Sequence, residues 1–232
     1  VRDAKHWKSA IVPVHTKIPA PRLTAKSEHT LSKYLPEETL DLTMKLLRSA
    51  PVELRIKNPR KTKFGDYRFP RGSERHRISI NGNLNPFAFL ITLVHEMAHL
   101  KAFEDHGKTI KPHGDEWQST FRELMKPYFE RNVFPAALKS ALSKSLQKGS
   151  ASSCTDLELF RVLQTFNEKP ALVVEQLNPG DCFSLGKGMI FKKGPKARKR
   201  YRCLNLANGR EYMVHPLAEV KRIETEKNTK SA

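Results

Sequence analysis

A chain of 232 residues, 38% of them hydrophobic, can bury one core of ordinary size and a small second one without disulfide staples. Its three cysteines, Cys154, Cys182 and Cys203, form no CxxC pair, which argues against a redox couple or zinc ribbon and for a reducing, intracellular setting. A formal net charge of +18 favours polyanionic partners, nucleic acid above all, and with no run of about 18 uncharged apolar residues and no apolar secretion core at the start, a cytoplasmic, nucleoid-associated location without a membrane partner is expected.

Residues 1–21, with Pro13, Pro19 and Pro21, read as an irregular arm. Two helices are expected next, one from Ala25 to Lys33 and one opened by Pro36-Glu37-Glu38 and running to Ser49, its acidic start and its Lys45 and Arg48 end matching the helix dipole. Three short extended runs, Val52 to Ile56, Lys63 to Phe69 and Arg77 to Ile80, suggest a small antiparallel sheet. Nine Arg and Lys residues between Arg55 and Arg77 surround Phe64, Tyr67 and Phe69, a mixture suited to holding phosphates and stacking bases. From Pro86 to about Glu104 a long helix is apolar nearly all round and therefore buried. A loop from Asp105 to Pro112 leads to a helix from Asp115 to about Glu130, whose Trp117, Phe121, Leu124 and Tyr128 form a core stripe, and a further helix spans Ala136 to Leu146. The small-residue stretch around Ser150 marks a boundary, after which Thr155 or Asp156 caps a short helix to Phe166. Beyond Val173 six short β-like runs (VVEQL, DCFSL, MIFKK, RYRCLNL, REYMV, AEVKRI) suggest a β-rich module. The expected organisation is thus an arm (1–21), a first domain (22–148), a linker with a short helix (149–170), a basic β-rich module (171–225) and a tail (226–232).

Within the long helix stands His95-Glu96-Met97-Ala98-His99. Residues four apart share a helical face, so His95 and His99 can grip one metal ion while Glu96 leans toward its open side. Three ionisable groups on a buried apolar helix are costly unless something satisfies them, and a metal ion does. Zinc held by two imidazoles and a third protein ligand keeps a fourth position for water and acidifies it, which suits Glu96 as the general base of peptide hydrolysis. Four residues compete as third ligand. The HExxHxxGxxH spacing fails, because positions 102 and 105 are Ala and Asp. Glu123 and Glu116 would give a His-His-Glu site, and His106 and His113 a three-histidine one. His113 is favoured, because Pro112-His113-Gly114 turns sharply just before a helix and can aim an imidazole back at the first.

The stretch HEMAHLKAFEDHGKTIKPHGDEW, with ISINGNL shortly before it, resembles the SprT-like family of zinc-dependent metallopeptidase domains, of the bacterial type and related to Spartan of eukaryotes. The resemblance covers roughly residues 25 to 130. It implies a zincin-like α+β fold with the HExxH helix central, His95, His99 and His113 as ligands of one catalytic zinc ion, Glu96 as catalytic acid/base, and Trp117 as a structural aromatic. In the Spartan branch it implies proteolysis of proteins crosslinked to DNA. Many relatives carry a C-terminal zinc ribbon; here Cys203 stands alone, so a second, structural zinc is not expected.

The run KKGPKARKRYR supplies the nucleic-acid candidates Lys192, Lys193, Lys196, Arg198, Lys199, Arg200 and Arg202. The reading that follows is a zinc metalloendopeptidase acting on protein or peptide substrates associated with nucleic acid, with oxyanion donors among Tyr67, Tyr128 and several arginines. The rival reading is a nucleic-acid-binding or transcription-elongation factor whose zinc is chiefly structural.

Overall fold

A computed structural model of the chain describes residues 25–60, 63–70, 75–149, 156–186 and 188–224; the expected arm, most of the boundary stretch and the tail lie outside the described residues. Helix α1 (Ala25–Ser32) is followed by α2 (Leu40–Arg48), and the acidic pair Glu37-Glu38 sits in a separate 3-10 turn ahead of α2 rather than in its first turn. Thr43, Met44 and Leu47 make one buried face of α2, and Thr43 Oγ1 lies 3.2 Å from the Tyr128 hydroxyl, which ties this helix to a later one.

Strands β1 (Val52–Lys57), β2 (Gly65–Arg68) and β3 (His76–Asn81) form a sheet in the order β1-β3-β2. It is mixed, not wholly antiparallel as expected: β2 returns along the edge of β3, which leaves β1 parallel to β3 on the other side. Hydrophobic alternation reports which face a strand buries, and it is silent on direction. Ile78 and Ile80 of the central strand are fully buried.

Helix α3 (Pro86–His106) packs on this sheet. Asn85 caps it, accepting from the Ala88 N–H at 2.9 Å, Pro86 supplies the preset backbone of the first turn, and Gly107 ends it at φ +76°. Every residue from Ala88 to Ala98 is buried, so the histidine-bearing turns run through the core. Helices α4 (Asp115–Glu130) and α5 (Ala136–Gln147) follow, α4 against α3. Helix α6 (Leu157–Gln164), capped by Asp156, falls in the span expected to be a linker, yet its Leu159 and Leu163 join the same core.

The second core lies in a five-stranded antiparallel sheet of β4 (Cys182–Leu185), β5 (Met189–Ala197), β6 (Arg200–Asn205), β7 (Glu211–Val214) and β8 (Lys221–Ile223), in the order β7-β6-β5-β4-β8. Five of the six expected β runs are strands. The first, from Val173, makes a 3-10 turn instead: its N–H groups pair with carbonyls of Pro216 and Ala218, an irregular segment that offers no ladder. A register shift between Lys193 and Lys196 falls at Gly194, where an added Cβ would lie 2.5 Å from the Arg202 carbonyl oxygen. No helix among the described residues is long and apolar enough to cross a membrane.

Candidate metal centre and catalytic cleft

His95 and His99 stand one turn apart on α3, and the third imidazole arrives from the loop beyond its end. The Gly114 N–H donates to the Lys111 carbonyl at 2.9 Å, closing a four-residue turn with Pro112 at its second position and His113 at its third, φ +61°. That pattern is a type II turn, in which the third position normally holds Gly or Asn. Gln118 Nε2 donates to the His113 carbonyl at 3.1 Å and anchors the turn to α4. The outcome is a triangle of Nε2 atoms, 3.2 Å between His95 and His99, 3.0 Å between His99 and His113, and 3.2 Å between His113 and His95.

The donor set fits a zinc ion. Tetrahedral zinc with Zn–N bonds of ~2.0–2.1 Å spaces its nitrogens about 3.3–3.4 Å apart, within a few tenths of an ångström of the triangle. Burial, with the neighbouring imidazoles adding to it, holds His95 well below its ordinary range and brings His99 down to about 4; burial also lowers His113. The rings are therefore neutral at pH 7, with lone pairs available to a metal. Among the described residues these three form the cluster able to hold an ion.

Trp117 lies beneath them, 1% exposed, its ring 4.7, 5.1 and 4.6 Å from those of His95, His99 and His113, and Phe121 stacks behind it at 5.0 Å. Its Nε1 has no hydrogen-bond partner among the described residues, and its ring contacts make the indole a packing wall against the three imidazoles.

Glu96 is buried and opens on the same cleft as the histidines. Burial, reinforced by the charge of Asp66 and opposed by Arg60 and Lys63, raises its carboxyl to about 8. The approach of strand to helix depends on Gly65: a Cβ there would fall 2.3 Å from Glu96 Oε1 and 2.7 Å from Thr92 Cγ2. Sequence reading passed over this residue, although a glycine inside a short strand is itself a signal of close approach.

The cleft, of about 760 Å³, runs between β2 and α3 with the 107–113 segment closing one side. Phe64, Phe69 and Phe103 give it apolar walls. The Tyr67 ring lies parallel to that of His99 at 6.3 Å, and its hydroxyl is 2.8 Å from His76 Nδ1, whose other nitrogen is 3.8 Å from the Glu104 carboxylate. Burial drives the Tyr67 hydroxyl well above its ordinary range, so it keeps its proton. Of the other oxyanion candidates, Tyr128 is turned to Thr43 in the core, and Arg60 is spent on Asn81, Ser79 and the Phe64 carbonyl, where it braces the segment leading into β2.

His106 is exposed at the end of α3, and Glu116 and Glu123 are exposed on α4, the latter accepting from Ser119, so none of them joins the triangle. In the basic run Lys192, Lys196, Arg198, Lys199, Arg200 and Arg202 are exposed along the β5–β6 hairpin. Lys193 is a correction. It is buried, its ammonium donates to the carbonyls of Leu177 and Glu175 and lies 4.2 Å from the Tyr201 ring centre, so it holds the module together instead of facing solvent.

Compared with known proteins, residues 32–139 match the model of the SprT-like family, a span from the end of α1 into α5. No curated protein and no solved structure matches the chain.

Proposed function

We propose, from the match of residues 32–139 to the SprT-like family, that the chain is a zinc-dependent metalloendopeptidase acting on proteins associated with nucleic acid. The observation that carries the reading is the triangle of three neutral imidazoles, 3.0–3.2 Å apart, opening on a cleft that also holds a buried glutamate. His95, His99 and His113 would hold the ion through Nε2. Bound there, zinc supplies Lewis acidity, which acidifies water and polarises a peptide carbonyl.

Glu96 accepts the proton of the attacking water at its carboxylate and delivers it to the leaving amine. Its raised value in the metal-free chain reflects the cost of burying charge, and a divalent cation beside it favours the carboxylate form that a base requires. Trp117 and Gly65 act by position, one fixing the imidazoles and the other letting the strand close on the glutamate. β2 is an edge strand, so its outer backbone groups can pair with an extended peptide laid along the cleft, and the phenylalanines beside it receive apolar side chains.

A structural zinc is normally enclosed by four protein ligands. Three histidines facing an open cleft support catalysis over the purely structural alternative. The six exposed cations of the β5–β6 hairpin and the +18 net charge support recruitment to nucleic acid, in a cytoplasmic setting. The reading is tested by incubating the chain with a DNA-bound basic protein, with and without zinc, DNA and a chelator. Cleavage should need zinc and increase with DNA. Cleavage that survives chelation overturns the metal chemistry, and cleavage indifferent to DNA removes the nucleic-acid part.

A further inference from the structure

Between Arg55 and Arg77 the sequence intermixes cations and aromatics, and strand pairing puts Arg55, Arg68 and Arg77 on one face of the sheet and Tyr67 on the other. Tyr67 pairs with Ile78 and turns toward α3, where it meets His99 and Phe103. Asp66 and Arg68, one residue to either side, turn the other way and pair with Ser79 and Arg77. Arg55 of β1 pairs with Ser79 from the far side, so one row crosses all three strands on the outer face of the sheet. With Lys57 and Arg60 these residues line a groove of about 340 Å³, which among the described residues shares only Asp66 with the catalytic cleft.

We propose that this groove is a docking site for the backbone phosphates of nucleic acid. Among the described residues, five cationic side chains, Arg55, Lys57, Arg60, Arg68 and Arg77, line it against a single carboxylate, Asp66. Arg60 is fixed in its floor by bonds to Asn81 and Ser79, Arg55 is steadied by Glu53 at 2.8 Å, and Arg68 by Asp66 at 3.0 Å; Arg55, Lys57 and Arg68 remain exposed to a ligand. Preset cations of this kind lose little freedom on meeting an anion. The aromatics that could stack bases face the catalytic cleft, so the groove reads charge and spacing, not sequence. Among the described residues its one apolar lining residue, Ile78, is fully buried and offers no apolar surface to a lipid layer.

β2 belongs to both sites. Gly65 and Tyr67 face the cleft while Asp66 and Arg68 face the groove, so phosphates held here lie one strand's thickness from the edge that takes the peptide. A protein attached to that nucleic acid is thereby presented to the cleft. This inference rests on the nucleic-acid association proposed above and names a surface for it separate from the β5–β6 hairpin.

The test is equilibrium binding of a labelled random-sequence DNA duplex by the full chain, titrated between about 50 and 200 mM salt. Arg55→Gln/Arg68→Gln should weaken binding about tenfold and lower the slope of log affinity against log salt by about two, and Lys57→Gln, the second variant, should lower it by about one. Each variant is to be used only with the melting temperature of the unaltered chain. Unchanged affinity and slope in both variants overturn the groove while leaving the association in place. No duplex binding by the unaltered chain overturns both. Loss of binding to phosphatidylserine vesicles without loss of duplex binding also overturns the assignment.

Discussion

His113 holds a backbone conformation that a β-carbon makes costly, about 1–2 kcal/mol, and the turn keeps it there because its imidazole completes the triangle. Strain at such a place has a testable signature. His113→Asn, which tolerates the left-handed region, should stabilise the metal-free chain by about 1 kcal/mol and abolish tight zinc binding, measured by thermal melting and metal content. A variant less stable than the parent without metal contradicts this account of the turn. At this scale much of the arrangement was legible: i, i+4 spacing brought His95 and His99 together, and the Pro-His-Gly turn pointed to the third imidazole of the cluster. Lys193 was not legible, because a lysine in a basic run carries no mark of the two carbonyls and the tyrosine ring that enclose it.

Between elements, the decisive contact is that of β2 with α3. Glu96 meets the strand at Gly65, where only a hydrogen fits beside the carboxylate. Gly65→Ala should push the strand or the glutamate aside, lowering peptide cleavage by about 10²-fold while zinc content stays equal to that of the parent. Full activity would show that the carboxylate tolerates displacement. Helix positions were readable from apolar spacing, as for the long helix expected from Pro86. Strand direction was not readable, and neither was the membership of α6 in the first core. Its short apolar stripe is the same whether it packs on a neighbour or lies in a linker, and the Leu159 and Leu163 contacts decide the matter through space.

Across the whole molecule, the metal-free centre is under pressure from both ends of the pH scale. His99 has a folded value of about 4 against an ordinary 6.5, so the stability it contributes is full above pH 6.5 and is lost as pH falls toward 4. Glu96, raised from 4.5 to about 8, acts in the opposite sense: its contribution is full below pH 4.5 and is lost as pH rises through 8. In metal-free protein, the melting temperature of His99→Gln relative to the parent should therefore improve on going from pH 6.5 to 4, and that of Glu96→Gln should improve from pH 4.5 to 8. Differences that do not change with pH contradict these burial costs. Charge and composition announced a basic chain with two cores, but they did not show that Arg55, Arg68 and Arg77 share one face of a sheet whose other face carries Tyr67. That follows from strand pairing, which joins residues distant in sequence. The central claim is tested most directly by the rate of peptide-bond hydrolysis in the zinc-loaded chain beside zinc-loaded Glu96→Gln. The account predicts equal zinc in both and a rate at least about 10²-fold lower in the variant; equal rates at equal zinc would contradict it.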